Sequence, residues 1–300
     1  MKLTFFRTAE PNFGDELNTL LWRHLVPSGF LDEREDELFL GIGSIIWDTL
    51  PKSSVKHVIG SGYGGYTGPP DVHDGSWNIV WVRGPQTAKT LGIDPKCAIT
   101  DAAVLLRAIP LPPAADGIDI AFMPHFHSVR RGDWARVCEL AGITFLDPRD
   151  EPEKLIAQIR GASCLLTEAM HGAIVADALR TPFIPFVPHH PHNRSKWLDW
   201  AESLNLDLDS QPMPASTGVE LYVKMTGAIG QGPRAQMIRD GWAFQPLHRA
   251  LSYKAAKRLQ TIAATITPLL SDEAVLETAT ERCMEALESF IISRQIKVPL

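Results

Sequence analysis

Short apolar runs alternate with helically spaced stretches from the first residues onward, and this rhythm constrains the fold more than any single motif. Runs at 2–6, 38–41, 57–59, 78–82 and 98–100 have strand length, while 15–25 and 85–91 carry helical spacing. Strands separated by helices favour parallel pairing, because a parallel partner needs a long crossover and a helix supplies it. Pro110-Leu111-Pro112-Pro113-Ala114-Ala115 then breaks the periodicity and reads as a linker. The alternation resumes with strands at 118–123, 143–146, 164–167 and 183–187 and helices at 133–141, 152–160 and 172–179. The expectation is an α/β chain of two mostly parallel-sheet domains, 1–110 and 111–248. C-terminal helices at 249–266 and 272–292 follow. Ala274, Leu276, Ala279, Cys283, Leu287 and Ile291 form an apolar stripe on the last helix, suited to packing back on the first domain.

Composition narrows the function classes. A chain of 300 residues that is 45% apolar has enough material for two cores. A net charge of -6 argues against general nucleic-acid binding, which needs a basic surface to displace counterions. No apolar run has the length of a bilayer crossing, and the opening Met1 to Arg7 is too short for a signal peptide, so a cytoplasmic location is expected. Cys97, Cys138, Cys164 and Cys283 are widely spaced without a C-x-x-C pair, as reduced buried thiols are.

Two strand-to-helix turns carry the chemistry. Thr167-Glu168-Ala169-Met170-His171-Gly172-Ala173 places an acid, an imidazole and a glycine where helical N–H groups lack intrahelical partners and favour an anion. Gly172 is read as allowing close approach of a ligand to the backbone. Asn12-Phe13-Gly14-Asp15-Glu16-Leu17-Asn18 repeats the arrangement after the first strand. For His171 the plain alternative is a histidine packed at a helix start.

These two turns resemble those of the polysaccharide pyruvyl transferases, with an N-x-G-D segment after the first strand and an H-G pair in the second half. Gly41-Ile42-Gly43, Gly60-Ser61-Gly62, Val82-Arg83-Gly84-Pro85 and Thr100-Asp101 stand between them in the family's order. The resemblance covers roughly residues 1–190 and is nearer to the succinoglycan-type ketal transferases. Many relatives carry arginine two residues before the histidine, where this chain has Ala169. The resemblance implies transfer of the enolpyruvyl group of phosphoenolpyruvate to a lipid-linked oligosaccharide or polysaccharide acceptor, with no cofactor. The two Rossmann-like domains would then take a GT-B-like arrangement, with the active site in the cleft between them. A nucleotide-sugar glycosyltransferase of that fold and a non-catalytic saccharide-binding relative are the rival readings.

The remaining candidates have both a chemical and a plain reading. Arg83 ends a strand, where its fork could hold phosphate or carboxylate; the plain alternative is a surface salt bridge. Asp101 could handle a proton or simply cap the turn that follows, and Glu168 is the second candidate for proton handling. Asn12 and Asp15 are assigned to the acceptor side, with helix capping as the plain alternative for Asp15. His125, Arg130 and Arg131 follow a strand and could supply the positive charge that Ala169 does not. Gly60 to Gly65 matches G-x-G-x-x-G, but the prolines behind it argue against a dinucleotide site. His189-His190-Pro191-His192 lacks an acidic companion, so no metal site is expected. Arg249, Lys254, Lys257 and Arg258 beside Leu251, Ala255, Leu259 and Ile262 read first as a solvated helix face, with peripheral contact to anionic lipid as the alternative.

Overall fold

The structure, a computed structural model, describes residues 1–7, 10–188 and 194–295. The His189 to His192 run therefore lies outside the described residues. The chain groups into two compact units, one of 1–111, 195–208 and 271–300, the other of 112–194 and 209–270.

The first unit is built on a parallel sheet of β1 (Lys2–Thr4), β2 (Glu37–Leu40), β3 (Val55–Ile59) and β4 (Trp77–Trp81), paired in that order. Residues 98–100, expected as a fifth strand, contribute only a parallel bridge from Ala98 to Val82. Asp94 and Pro95 open a short 3-10 turn just before it, which leaves too little extended chain for a ladder. Helix α1 (Phe13–Leu25) buries Phe13, Leu17, Leu20, Leu21 and Trp22. Helix α2 (Pro85–Leu91) begins with proline in its first turn and ends at left-handed Gly92, favoured residues for both places.

In the second unit, β5 (Ile120–Met123), β6 (Thr144–Phe145), β7 (Cys164–Thr167), β8 (Phe183–Val187) and β9 (Gln211–Pro212) pair in the order β6-β5-β7-β8-β9, all parallel. From β5 the chain goes to β6 on one side and then to β7 on the other. That reversal sets a topological switch point at the carboxyl ends of β5 and β7, the place where open α/β sheets bind ligands. The segment after β5, expected as a loop, holds helix α3 (Phe126–Arg131). Helices α4 (Trp134–Ala141), α5 (Pro152–Gly161) and α6 (Met170–Ala178) follow the expected positions.

Later elements divide between the units. Helix α7 (Arg194–Ser203) lies almost wholly in the first unit, although the sequence places 195–208 in the second half. Helices α8 (Gly218–Thr226), α9 (Pro233–Asp240) and α10 (Gln245–Thr265) belong to the second unit. There Ala255, Ala256, Leu259 and Ile262 of α10 pack with Trp134, Val137 and Cys138 of α4. Helix α11 (Glu273–Gln295) packs on β4 and on the 3-10 segment Ala102–Ala108 of the first unit. Its buried face uses Leu276, Ala279, Cys283, Leu287 and Phe290, while Ala274 faces solvent. No helix among the described residues is long and apolar enough to cross a membrane.

All four cysteines are free. Burial pushes the Cys138 thiol up to about 12 and, with a smaller effect of Asp119, that of Cys164 to about 11, so both stay protonated near neutrality.

Candidate functional site

In the second unit the adjacent ends of β5 and β7 bring two candidate segments together, since Met123 pairs with Thr167 in register. His125 caps α3, its Nδ1 accepting from the His127 N–H at 3.3 Å, and its ring meets that of Phe126 at a tilt and that of His127 edge-on. His171 occupies the first turn of α6, half-buried, with Ala169 as the cap residue.

Glu168 ties these segments together. It is 1% exposed, and its Oε2 accepts from the His125 N–H at 2.9 Å while Oε1 accepts from Ser128 Oγ at 3.1 Å. The carboxylate thus holds the start of α3 in place. Both of its oxygens are engaged in holding neighbouring backbone and side chain, which is a positioning role.

Gly172 also changes meaning. It is buried, and a methyl group there would lie 2.6 Å from Thr167 Oγ1 and 3.0 Å from Met123 Sδ. The glycine is needed for α6 to seat on the strand ends. Thr167 Oγ1 in turn accepts from the Ala169 N–H at 3.0 Å and fixes the turn that presents His171.

Arg130 and Arg131 separate sharply. Arg130 is exposed, whereas Arg131 is buried, with Nη1 donating to Ile229 O and Nη2 to Ser128 Oγ, both at 3.3 Å. Its backbone carbonyl accepts from Thr217 Oγ1 at 2.6 Å. Arg131 is therefore a strut beneath the turn, and Arg130 is the member of the pair that solvent reaches.

A second acid sits behind this strut. Glu220 accepts from Trp134 Nε1 at 2.8 Å and from both the backbone N–H and the hydroxyl of Ser216 at 2.7 Å. Thr217 caps α8, so Thr217-Gly218-Val219-Glu220 is a variant capping box in which the glutamate reaches one residue past the cap. Burial pushes the Glu220 carboxyl up to about 7; the Glu168 charge adds to this, and the hydrogen bonds from Ser216 and Trp134 oppose it.

The first unit gathers its candidates at the carboxyl edge of its own sheet. The Asn12 carbonyl accepts from the Asp15 and Glu16 N–H groups at 3.0 Å, and Asn12 Nδ2 donates to Asp15 Oδ2 at 2.6 Å. The pair is locked across the first turn of α1. Asn18 is buried beneath it: Nδ2 donates to Ile42 O, and Oδ1 accepts from the Ile42 N–H and Trp22 Nε1. This amide fixes the Gly41-Ile42-Gly43 turn against α1.

Arg83 forms no surface salt bridge. It is 0% exposed, with Nε donating to Asp199 Oδ2 at 3.1 Å, Nη1 to Ser44 Oγ at 2.8 Å and Nη2 to the Tyr63 carbonyl at 3.2 Å. A side chain at Gly62 would collide with this guanidinium, and one at Gly84 with the Asp199 carbonyl. Within the 60–65 run it is Gly62 that leaves room for the arginine, and no helix opens between residues 60 and 76. The fork has become the tie of two loops and a helix.

Asp101 is buried and caps the 3-10 segment, Oδ1 accepting from the Ala103 N–H at 3.0 Å. Among the described residues, no cluster of three or more His, Cys, Asp or Glu is placed to hold a metal ion.

Sequence reading did not single out Asn18, Ser128, Thr167, Asp199 or Glu220. Two of them had a readable signal: Asn18 interrupts the apolar face of α1, and Asp199 stands between the buried Trp197 and Trp200. A polar residue on a buried face demands a partner.

A family model described as Polysaccharide pyruvyl transferase matches residues 72–190, a span that takes in Arg83 and the turn between β7 and α6. No solved structure gives a significant match. The succinoglycan biosynthesis protein ExoV of Rhizobium meliloti (strain 1021) is 37% identical over 227 residues, which cover 75% of this chain and 71% of that protein. With such identity sustained over most of both sequences, and the family model spanning Arg83 and the turn between β7 and α6, the chain belongs to the polysaccharide pyruvyl transferase family.

Proposed function

We propose that the chain transfers the carbons of phosphoenolpyruvate to a pair of hydroxyls on one hexose of a lipid-linked or polymeric exopolysaccharide repeat, forming a cyclic pyruvate ketal. What carries this reading is the 37% identity with a succinoglycan biosynthesis protein, sustained over three quarters of the chain. A chain with two units on parallel sheets is also compatible with a GT-B-like fold.

The reaction balances without an oxidant. A proton adds to the methylene carbon of phosphoenolpyruvate, the first hydroxyl oxygen bonds to the neighbouring carbon, and the second displaces phosphate from it. The two hydroxyl protons end on the new methyl group and on phosphate. Such a sequence needs a proton carrier beside the enol, stabilisation of positive charge on carbon and a clamp for the departing anion.

His171 is the proposed proton carrier, at the first turn of α6 beside the β5 and β7 strand ends. The N-terminal N–H groups of α6, with His125 and Arg130 from the neighbouring segment, are the proposed phosphate clamp. Glu168 and Arg131 position that segment. Asn12 and Asp15 are proposed for the acceptor hydroxyls, while Arg83 and Asp101 act by shaping the loops around them.

Purified protein incubated with phosphoenolpyruvate and bacterial lipid-linked oligosaccharides should give a product heavier by a pyruvate ketal, with inorganic phosphate released in equal amount. Transfer of a sugar from a nucleotide donor, with no phosphate released from phosphoenolpyruvate, would overturn the proposal.

A further inference from the structure

A largely exposed part of the second unit is also strongly basic. Residues 233–258 contain Arg234, Arg239, Arg249, Lys254, Lys257 and Arg258 against the single acid Asp240, in a chain whose net charge is -6. All six of these cations are exposed. Among them stand large apolar side chains that the fold leaves in solvent: Trp242 at 87% exposure, Met237 at 59%, Tyr253 at 58% and Leu247 at 39%. The apolar stripe legible in the sequence is not part of this surface, because Ala255, Leu259 and Ile262 face the core.

The surface is held in shape. His248 accepts from the Gly218 N–H at Nδ1, which leaves the proton on Nε2 for the Ile238 carbonyl, each at 3.0 Å. One imidazole thereby clasps the start of α8, the end of α9 and the start of α10. The short 3-10 turn Trp242–Phe244 between α9 and α10 presents its tryptophan outward on this clasp.

We propose that this face of α9, the Trp242 turn and the outer side of α10 docks on a bilayer containing anionic phospholipid. Charge complementarity selects the partner: a local excess of cations on an acidic protein is drawn to a negative surface and screened by salt. The apolar side chains select a lipid boundary over a purely polyanionic one. Tryptophan and tyrosine, with an apolar body and a polar edge, settle at the level of lipid head groups, and methionine and leucine gain by entering the acyl boundary. Exposed apolar groups of this size otherwise bring a solubility penalty with no return. The inference stands on surface chemistry and holds whichever reaction the site performs.

The full chain should co-sediment with vesicles of phosphatidylcholine mixed with phosphatidylglycerol and not with phosphatidylcholine alone, and added salt should weaken the binding. Combined Lys254→Glu, Lys257→Glu and Arg258→Glu should lower the affinity by at least ~10-fold, since each cation near the surface contributes separately. Trp242→Ser should weaken binding severalfold and remove most of the quenching of tryptophan fluorescence by brominated lipid. Failure of the wild-type chain to bind the mixed vesicles at low salt would overturn the proposal, as would equal binding by the charge-reversed variant. A stable dimer in solution that shields Trp242 would also overturn it, assigning the face to a second copy of the chain.

Discussion

Arg83 and Asp199, separated by 116 residues in sequence, form an ion pair buried inside one unit, with Nε 3.1 Å from Oδ2. The same carboxylate accepts from the Thr87 N–H at 2.9 Å and from its hydroxyl at 2.6 Å. Helix α7 is thereby fastened to the start of α2 and to the loop after β4. An ion pair removed from water this completely contributes specificity rather than much net stability, and either partner alone is a liability.

Asp199→Ala should therefore destabilise the protein by about 3–5 kcal/mol, because it strands a buried guanidinium. Arg83→Met combined with Asp199→Leu should be far less harmful than either single change, a coupling that urea unfolding of the four proteins would read directly. Additive losses would mean that the pair is not coupled. Arg83→Lys should lose stability as well, since an ammonium cannot reach Asp199, Ser44 and Tyr63 with one planar fork.

His171→Ala should reduce transfer about a hundredfold or more while leaving circular dichroism and the unfolding midpoint close to wild type. Alanine is a good helix former, so the first turn of α6 accommodates the change. Near-normal turnover in the folded variant would remove His171 from the proton-transfer role.

Glu168→Gln should loosen the segment from His125 to Arg131 without unfolding the unit. The amide can replace one carboxylate oxygen as acceptor but presents a donor where the other stood, leaving a buried group unsatisfied at a cost of about 1–3 kcal/mol. Hydrogen exchange at the His125 amide should speed up before the rest of the unit responds. An unchanged exchange rate would contradict the positioning role, whatever happens to turnover.

Glu220 should give the fold a measurable pH dependence. Its ordinary value of 4.5 is raised to about 7 in the folded chain. The folded state holds this proton where the unfolded chain has released it, so the contribution is fully present below about pH 4.5 and is lost as pH rises through about 7. Glu220→Gln should flatten that part of the stability profile, measured as denaturant midpoints across the interval. A wild-type profile that rises over the same range, with no difference in the variant, would refute the assignment.

Much of the architecture was legible because its elements are local. Strands 164–167 and 183–187 and the helix starting at Pro85 match the structure to the residue, since each is bounded by its own turn or proline signal. The segment 126–131 was not legible as a helix: it is short, and Glu168, from the turn after β7, holds its first turn. The turn bearing His171 could be read from its strand-to-helix pattern. The duties of Arg83, Glu168 and Gly172 could not, because each is set by a partner distant in sequence or across the sheet. An arginine at a strand end looks the same in sequence whether it meets a phosphate or an aspartate.

The grouping of segments in the two units sets an order on the ribosome. By the time Leu270 has been joined, every residue of the second unit exists, while the first still lacks 271–300 and with it α11. Leu276, Ala279, Cys283, Leu287 and Phe290 supply a buried face to a unit whose strands were made long before. Until they emerge, the nascent first unit exposes the surface that α11 will cover, although the carboxylate that pairs with Arg83, 116 residues downstream of it, has already been made. The unit begun first is thus the later of the two to close, and the synthesis of α11 becomes the step that commits it.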